Sequence, residues 1–295
     1  MPNLTVIIPV YNEQAGIAGV IGDLHQVLLD AAEAESFEIL VVDDGATDGT
    51  AAAVLAAAEG RPAVRLLPRG RNHGYGAAIK HGLRHAAHGL VAIVDGDGTY
   101  PVGQIPAMLR AMGDAAMVVG ARSNPSAVPL LRRPAKWLLT QLASYLAEER
   151  IPDLNSGLRI FRKDACLRYY NLLPQRFSFT TTLTLAMLCV DLPVEFVPIG
   201  YRPRLGRSKI RPLRDTLNFL LLIATTVTHF RPLKVLGPLA AAVFLAGLVK
   251  GVLDLAVFYS PETGPNLRTS DLLLLVAGVQ IFALALLADL VSKRR

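Results

Sequence analysis

Two aspartates one residue apart, Asp95 and Asp97, close the apolar run Leu90–Val94 in the segment LVAIVDGDGTYP. The run reads as a buried strand, so both carboxylates fall at its C-terminal tip, the edge at which open α/β sheets bind ligands. Two hard oxygen donors at this spacing suit Mg²⁺ or Mn²⁺, and such an ion would bridge to a diphosphate. Asp-x-Asp alone is also an ordinary solvated turn, so the other segments decide. Pro9 ends a strand-like run, Tyr11 could lie against a base and Glu13 could accept hydrogen bonds; read alone, they are a turn before a helix. Asp43 offers an acceptor for hydroxyl or N–H donors. Asp44-Gly45 and Asp48-Gly49 read equally as turn chemistry and a helix cap. Gly74 and Gly76 permit close backbone approach but form no G-x-G-x-x-G, so the dinucleotide fingerprint is absent. Arg122, read alone, is a surface arginine after a strand.

The elements that must position these groups alternate. Strands are expected at Leu4–Pro9, Phe37–Val42, Val64–Leu67, Leu90–Val94 and Ala116–Val119, and helices at Ile17–Ala32, Thr50–Ala58, Gly76–Ala87 and Ile105–Met112. This order implies an α/β fold, a mostly parallel sheet with helices on both faces. The acidic residues follow the second and fourth strands and so gather on one edge. Beyond Gly120 the alternation loosens into a Pro-rich loop with Arg132 and Arg133, then a helix over Lys136–Leu146. Leu158–Phe161 and Val194–Pro198 read as further strands. Leu213–His229 reads as an amphipathic helix lying in a membrane interface.

A hydrophobic fraction of 52% and a mean hydropathy of +0.39 concentrate at the C-terminal end. Val235–Tyr259 and Leu272–Val291 each exceed the ~20 residues needed to cross a bilayer. Lys250 and Asp254 stand at i, i+4 and can neutralise each other on one helix face. Basic residues flank the pair of spans (Arg231 and Lys234 before, Lys293 to Arg295 after), so both ends are expected in the cytoplasm. No basic n-region or cleavage site opens the chain, so no signal peptide is expected. Cys166 and Cys189 are then free core thiols. The net charge of +6 is concentrated between Tyr201 and Lys234. Because this cluster abuts a span, anionic headgroups or a membrane-borne phosphate suit it better than nucleic acid. The expected organisation is a catalytic domain over 1–211, an interfacial helix over 212–232 and an anchor over 233–295, with spans at about 235–259 and 271–291.

The ordered set PVYNE (Pro9–Glu13), DDGATDGT (Asp43–Thr50), NHGYGAA (Asn72–Ala78), DGD (Asp95–Asp97), GAR (Gly120–Arg122), NSGLR (Asn155–Arg159) and GRSK (Gly206–Lys209) resembles the inverting family 2 glycosyltransferases. The likeness is to the branch holding dolichyl-phosphate mannose synthase and polyprenyl-phosphate sugar transferases, and it runs from Leu4 to about Asp215. It implies a GT-A, Rossmann-like nucleotide-sugar domain. It assigns Pro9, Tyr11, Glu13, Val41 and Asp43 to base and ribose, Asp95, Gly96 and Asp97 to the nucleotide–metal site, and Arg122 to the phosphates. Arg202, Arg204, Ser208 and Lys209 resemble the family's R-x-x-G-x-S-K element, with Pro203 where the arginine is usual. Ala46, Gly96 and Thr180-Thr181-Thr182 are further departures.

The resemblance implies transfer of a hexose, from GDP-mannose or UDP-glucose, to a polyprenyl or dolichyl phosphate with inversion. Asp153 is the positional candidate for a base or an orienting carboxylate, with capping or pairing with Arg159 as its structural alternative. Other readings are a different lipid acceptor, or a membrane scaffold with a degenerate transferase domain. A processive synthase would carry Q-x-x-R-W, whereas Trp137 lies in RPAKW. Two spans form a thin anchor, which leaves room for a homo-oligomer.

Overall fold

The computed structural model describes residues 3–31, 35–123, 140–145, 147–176, 178–201, 212–257 and 268–293. They form two compact units, Met1–Leu222 and Ile223–Arg295.

The first unit is built on a seven-stranded sheet ordered β3-β2-β1-β4-β6-β5-β7. Its strands are β1 (Leu4–Val10), β2 (Phe37–Asp43), β3 (Val64–Pro68), β4 (Leu90–Ile93), β5 (Met117–Arg122), β6 (Arg159–Arg162) and β7 (Val194–Ile199). The pairings β1–β2, β1–β4, β2–β3 and β5–β7 are parallel, whereas β6 runs antiparallel between β4 and β5. Continuous apolar runs such as LTVIIPV form these strands because both faces of the sheet are covered. Alternate side chains serve opposite layers. Val6, Ile8, Ile39 and Val41 pack with Ile21 and Leu24 of α1 (Ile17–Asp30), Val54 of α2 (Thr50–Ala58) and Met108 of α4 (Ile105–Ala111). Ile7, Leu40 and Val42 pack on the other side. There they meet Ile79 and Leu83 of α3 (Tyr75–His85), Cys166 of α5 (Lys163–Arg168) and Leu183 and Met187 of α6 (Phe179–Cys189). Both cysteines are free and buried, and burial pushes the Cys166 thiol up to about 12.

Helix α7 (Pro212–Phe230) follows, and then α8 (Pro232–Val257) and α9 (Thr269–Lys293). The last two are long and apolar enough to cross a membrane by length and composition, over Pro232–Ala256 and Thr269–Ser292. At 26 residues, α8 extends about 39 Å, more than the ~30 Å of hydrocarbon. Gly247 faces Leu274 and Gly278 faces Phe244, close enough that a β-carbon on either glycine would press into the opposite helix. Lys250 bonds Asp254 at 2.8 Å, as its i, i+4 spacing predicts, and also reaches Asp271 on α9. Of the helix expected over Lys136–Leu146, residues 140–145 and 147 are described, and these are helical.

Candidate active site

The C-terminal ends of β1, β2, β4 and β5 lie on one edge, and the sequence places its chemistry there. Register sets Val10 opposite Asp43. The turn after β1 is tied to the turn after β2 by side chains from each. Asn12 adopts φ 57, a left-handed conformation that asparagine tolerates. Its Oδ1 accepts the Thr47 N–H at 2.8 Å. The Glu13 N–H donates to Thr50 Oγ1 at 2.9 Å, and Gln14 Oε1 accepts the Gly49 N–H at 3.0 Å. Tyr11 is 37% exposed beside this latch. Pro9 and Val41 are buried within their strands, so their side chains belong to the packed layer beneath the edge.

Asp43 and Asp44 divide their labour. Asp43 Oδ1 accepts the Ala46 N–H at 2.8 Å and closes its own turn. Asp44 takes Arg69 Nη1 at 2.7 Å, the Gly74 N–H at 2.7 Å and the His73 N–H at 3.1 Å. Asp44 therefore fastens the loop after β3 to the end of β2. Asp48 accepts the N–H of Thr50, the first residue of α2, at 3.0 Å, and the Thr50 hydroxyl holds its carboxyl below the usual carboxylate range.

Asp95 and Asp97 follow β4, both partly buried. Tyr75 Oη, from the start of α3, donates to Asp95 Oδ1 at 3.0 Å. Burial, and after it the Asp95 charge, push the Tyr75 hydroxyl well above its ordinary value. Asp97 Oδ1 accepts Thr99 Oγ1 at 2.7 Å and the Thr99 N–H at 3.1 Å. Gly96 is buried between them, and a β-carbon there would meet Val10 Cγ1 at 2.7 Å. That is the physical reason for glycine between the aspartates.

Because β6 runs antiparallel, its entry lies at the edge where its neighbours exit. Arg159 pairs with Ile93, the last residue of β4, which brings the 155–158 turn alongside Asp95. The Gly157 N–H donates to Tyr100 Oη at 2.6 Å. A β-carbon on Gly157 would overlap the Asp95 carboxylate. Burial, and then Asp95, raise the Tyr100 hydroxyl well above its usual value.

Asp153 is 2% exposed and holds Arg122 in a two-pronged pair, Nε to Oδ2 at 2.6 Å and Nη2 to Oδ1 at 2.8 Å. The Arg122 N–H also donates to Oδ2, at 3.2 Å. Burial alone would lower the Arg122 pKa, but the hydrogen bonds to Asp153 raise it. The guanidinium lies 5.2 Å from the ring centroid of Tyr201. Asp153 thus pairs with Arg122 where the sequence reading offered Arg159, and the capping that it also offered is present, Oδ1 accepting the Asn155 N–H at 3.3 Å. Arg159 is fully buried and turned towards α6, where Nη1 donates to the Thr180 carbonyl at 2.7 Å and to Thr184 Oγ1 at 3.0 Å. Burial lowers the Arg159 pKa, opposed by the nearby Tyr75, Tyr100, Asp153 and Asp95.

Tyr75, Tyr100 and Gly157 complete the edge although sequence reasoning gave none of them a role, and Arg159 entered that reasoning only as an alternative partner for Asp153. Tyr75 stands in NHGYGAA, Tyr100 just after Asp97, and Gly157 and Arg159 in NSGLR, so the segments were visible and the contacts were not. Arg202, Arg204, Ser208 and Lys209 lie outside the described residues, as do Arg132, Arg133 and Trp137.

Residues 5–169, more than half the chain, match the family model described as glycosyl transferase family 2. The chain belongs to glycosyl transferase family 2. It is a glycosyltransferase with the GT-A fold, and residues 231–293 match a second family model, the GtrB C-terminal hairpin. The low-salt glycan biosynthesis hexosyltransferase Agl6 of Haloferax volcanii is 28% identical over 85% of this chain, which spans 61% of that protein's length. The undecaprenyl-phosphate 4-deoxy-4-formamido-L-arabinose transferase of Klebsiella pneumoniae is 28% identical over 98% of this chain and 88% of its own. Among solved structures, glucosyl-3-phosphoglycerate synthase from Mycobacterium tuberculosis, in complex with Mn²⁺, UDP and phosphoglyceric acid, superposes with a TM-score of 0.59. It is 19% identical and covers 77% of this chain and 78% of its own, which is a likeness of fold.

Proposed function

We propose that this chain transfers a hexose from a nucleoside diphosphate sugar to a polyprenyl phosphate at the cytoplasmic face of a membrane, with inversion. The observation that carries the reading is the meeting, on one sheet edge, of the Asp95/Asp97 pair and the Arg122–Asp153 pair. The apolar helical hairpin supplies the lipid side of the argument, and two of the relatives fit it. One is by name an undecaprenyl-phosphate sugar transferase, the other a hexosyltransferase. GDP-mannose and UDP-glucose are the leading donors.

Among the described residues no group of three or more His, Cys, Asp or Glu could hold an ion. Two hard carboxylates at a ligand edge instead fit Mg²⁺ or Mn²⁺, which keeps water and substrate phosphate oxygens among its ligands. Asp95 and Asp97 would hold that ion, whose chemistry is to neutralise charge on the departing diphosphate. The chain's residues do the rest. Tyr75, whose hydroxyl burial and then the Asp95 charge push well above its ordinary value, fixes the Asp95 carboxylate, and Thr99 fixes that of Asp97. Arg122 presents fixed positive charge where the diphosphate would lie, aimed by Asp153. In the transfer itself the acceptor phosphate oxygen bonds the anomeric carbon as the bond from that carbon to the diphosphate oxygen breaks. A phosphomonoester with a second pKa of about 6 is largely ionised at neutral pH, so the nucleophile arrives without its proton. Asp153, engaged by three donors on Arg122, serves as the orienting carboxylate rather than as a base. Arg202, Arg204, Ser208 and Lys209 are proposed to meet phosphate from donor or acceptor. The two-span anchor, on this reading, also allows self-association.

The test is transfer in liposomes containing undecaprenyl or dolichyl phosphate, with labelled GDP- and UDP-sugars, with and without Mn²⁺ or Mg²⁺. One acid-labile prenyl-phosphate sugar, formed only with metal and reduced about 10²–10³-fold by Asp97→Asn, is expected. Metal-dependent nucleotide binding without transfer from any donor would point to another lipid acceptor or to a scaffold.

A further inference from the structure

The outer face of α3 carries chemistry that the transfer reaction does not use. Ala77, Lys80, His81 and Arg84 recur at i, i+3, i+4 and i+7, so they share one helix face. Together with Arg69, His73 and Tyr170 they line a cavity of ≈ 410 Å³ with no carboxylate among its described lining residues. We propose that this cavity is a second anion site, for a phosphate-type group, separate from the carboxylate edge.

The argument is electrostatic and geometric. Lys80 Nζ lies 4.7 Å from the Tyr170 ring centroid and Arg84 Cζ lies 5.5 Å from it, so one aromatic ring gathers two cations. A ring quadrupole holds cations without neutralising them. Their mutual repulsion is visible in Lys80, whose pKa is lowered first by burial and then by Arg84. His81 is lowered by burial, then by His85, Arg69 and Arg84. The Tyr170 hydroxyl is buried without a hydrogen-bond partner among the described residues. Among the described residues, Arg69 is the one cation of the cavity held by a carboxylate, Asp44. An oxyanion with several acceptor oxygens would relieve the repulsion and take up the donors together. The group could belong to a soluble phosphate or to a lipid headgroup, since both present the same chemistry.

The experiment uses the full chain in detergent, with EDTA present and ionic strength held constant with chloride. Inorganic phosphate and pyrophosphate are titrated by calorimetry, a measurement that needs neither sugar donor nor lipid acceptor and so stands apart from the transfer assay. Saturable binding is expected, weakened about tenfold or more in Lys80→Gln/Arg84→Gln and retained in Asp97→Asn. Arg84→Gln alone, at an exposed position, gives a second reading if the double variant fails to fold. Binding lost in Asp97→Asn but kept in the double variant would put the anion at the carboxylate edge and overturn the proposal. Equal binding by wild type and both variants, or no binding in either arm, would do the same. Titration of the same detergent-solubilised chain with short-chain phosphatidylglycerol against short-chain phosphatidylcholine names the source. Phosphatidylglycerol binding that is weakened in the Lys80→Gln/Arg84→Gln variant, without free-phosphate binding, assigns a lipid phosphate, and the reverse pattern assigns a soluble one.

Discussion

Asp153 shows how a single contact changes the role a residue can hold. A carboxylate that is 2% exposed and already accepts from Nε, Nη2 and the backbone N–H of Arg122 has little capacity left to take a proton from substrate. Asp153→Asn should therefore lower kcat while leaving the pH–rate profile without a lost carboxylate limb. A limb near the usual carboxylate range that vanishes in the variant would restore the base assignment. Asp153→Ala should also destabilise the domain by about 3 kcal/mol, the low end for breaking a buried pair, because Arg122 keeps 21% of its side chain in water. Gly157 offers a cleaner separation of folding from chemistry. In Gly157→Ala the new methyl meets the Asp95 carboxylate, so Asp95 must turn away from Tyr75. Transfer should fall by about tenfold or more, with a melting temperature much closer to wild type than the activity is.

At the scale of elements, the most constrained joint is the start of α3. Gly76 packs against the backbone carbonyls of Pro174 and Arg176, and the Ala77 N–H donates to the Gln175 carbonyl at 2.8 Å. Because backbone yields less readily than a side chain, Gly76→Ala should cost about 1–3 kcal/mol, the range for overpacking. It should also loosen Tyr75, one residue before it; thermal denaturation beside the transfer assay would show both losses together. The elements themselves were largely legible. The runs read as strands from Leu4, Phe37, Val64 and Leu90 begin at those residues in the structure, because strands packed under helices are mostly apolar; Glu38 in β2 and Arg65 in the edge strand β3 interrupt the runs without moving their starts. The direction of β6 was not legible. A four-residue strand carries no mark of polarity, so neither the approach of Gly157 to Asp95 nor the burial of Arg159 could be read from NSGLR. The Arg122–Asp153 pair spans 31 residues and depends on the same reversal.

For the whole molecule, the membrane reading makes a topological prediction that can be checked directly. Cys166 and Cys189 are both buried, so background labelling of intact cells should be low. With Asn266→Cys, an impermeant maleimide should react from outside; with Glu59→Cys it should react only after lysis. Reaction of both from the same side would overturn the proposed orientation. The reversed strand also bears on the order in which the sheet can be made. Strands β4 and β5 are neighbours in sequence but not in space, since β6 lies between them. While the chain emerges from the ribosome, β3, β2, β1 and β4 can assemble early, and β4 then presents a bare edge until Arg159–Arg162 follows. Unpaired edges invite association with other chains, and pairings distant in sequence form slowly. The part of the candidate site that Asp153 and Gly157 supply is thus completed late in synthesis, after the strand ends that carry Asp43, Asp95 and Asp97. A pause in translation shortly before residue 159 would prolong the interval in which the nascent protein is most prone to aggregate.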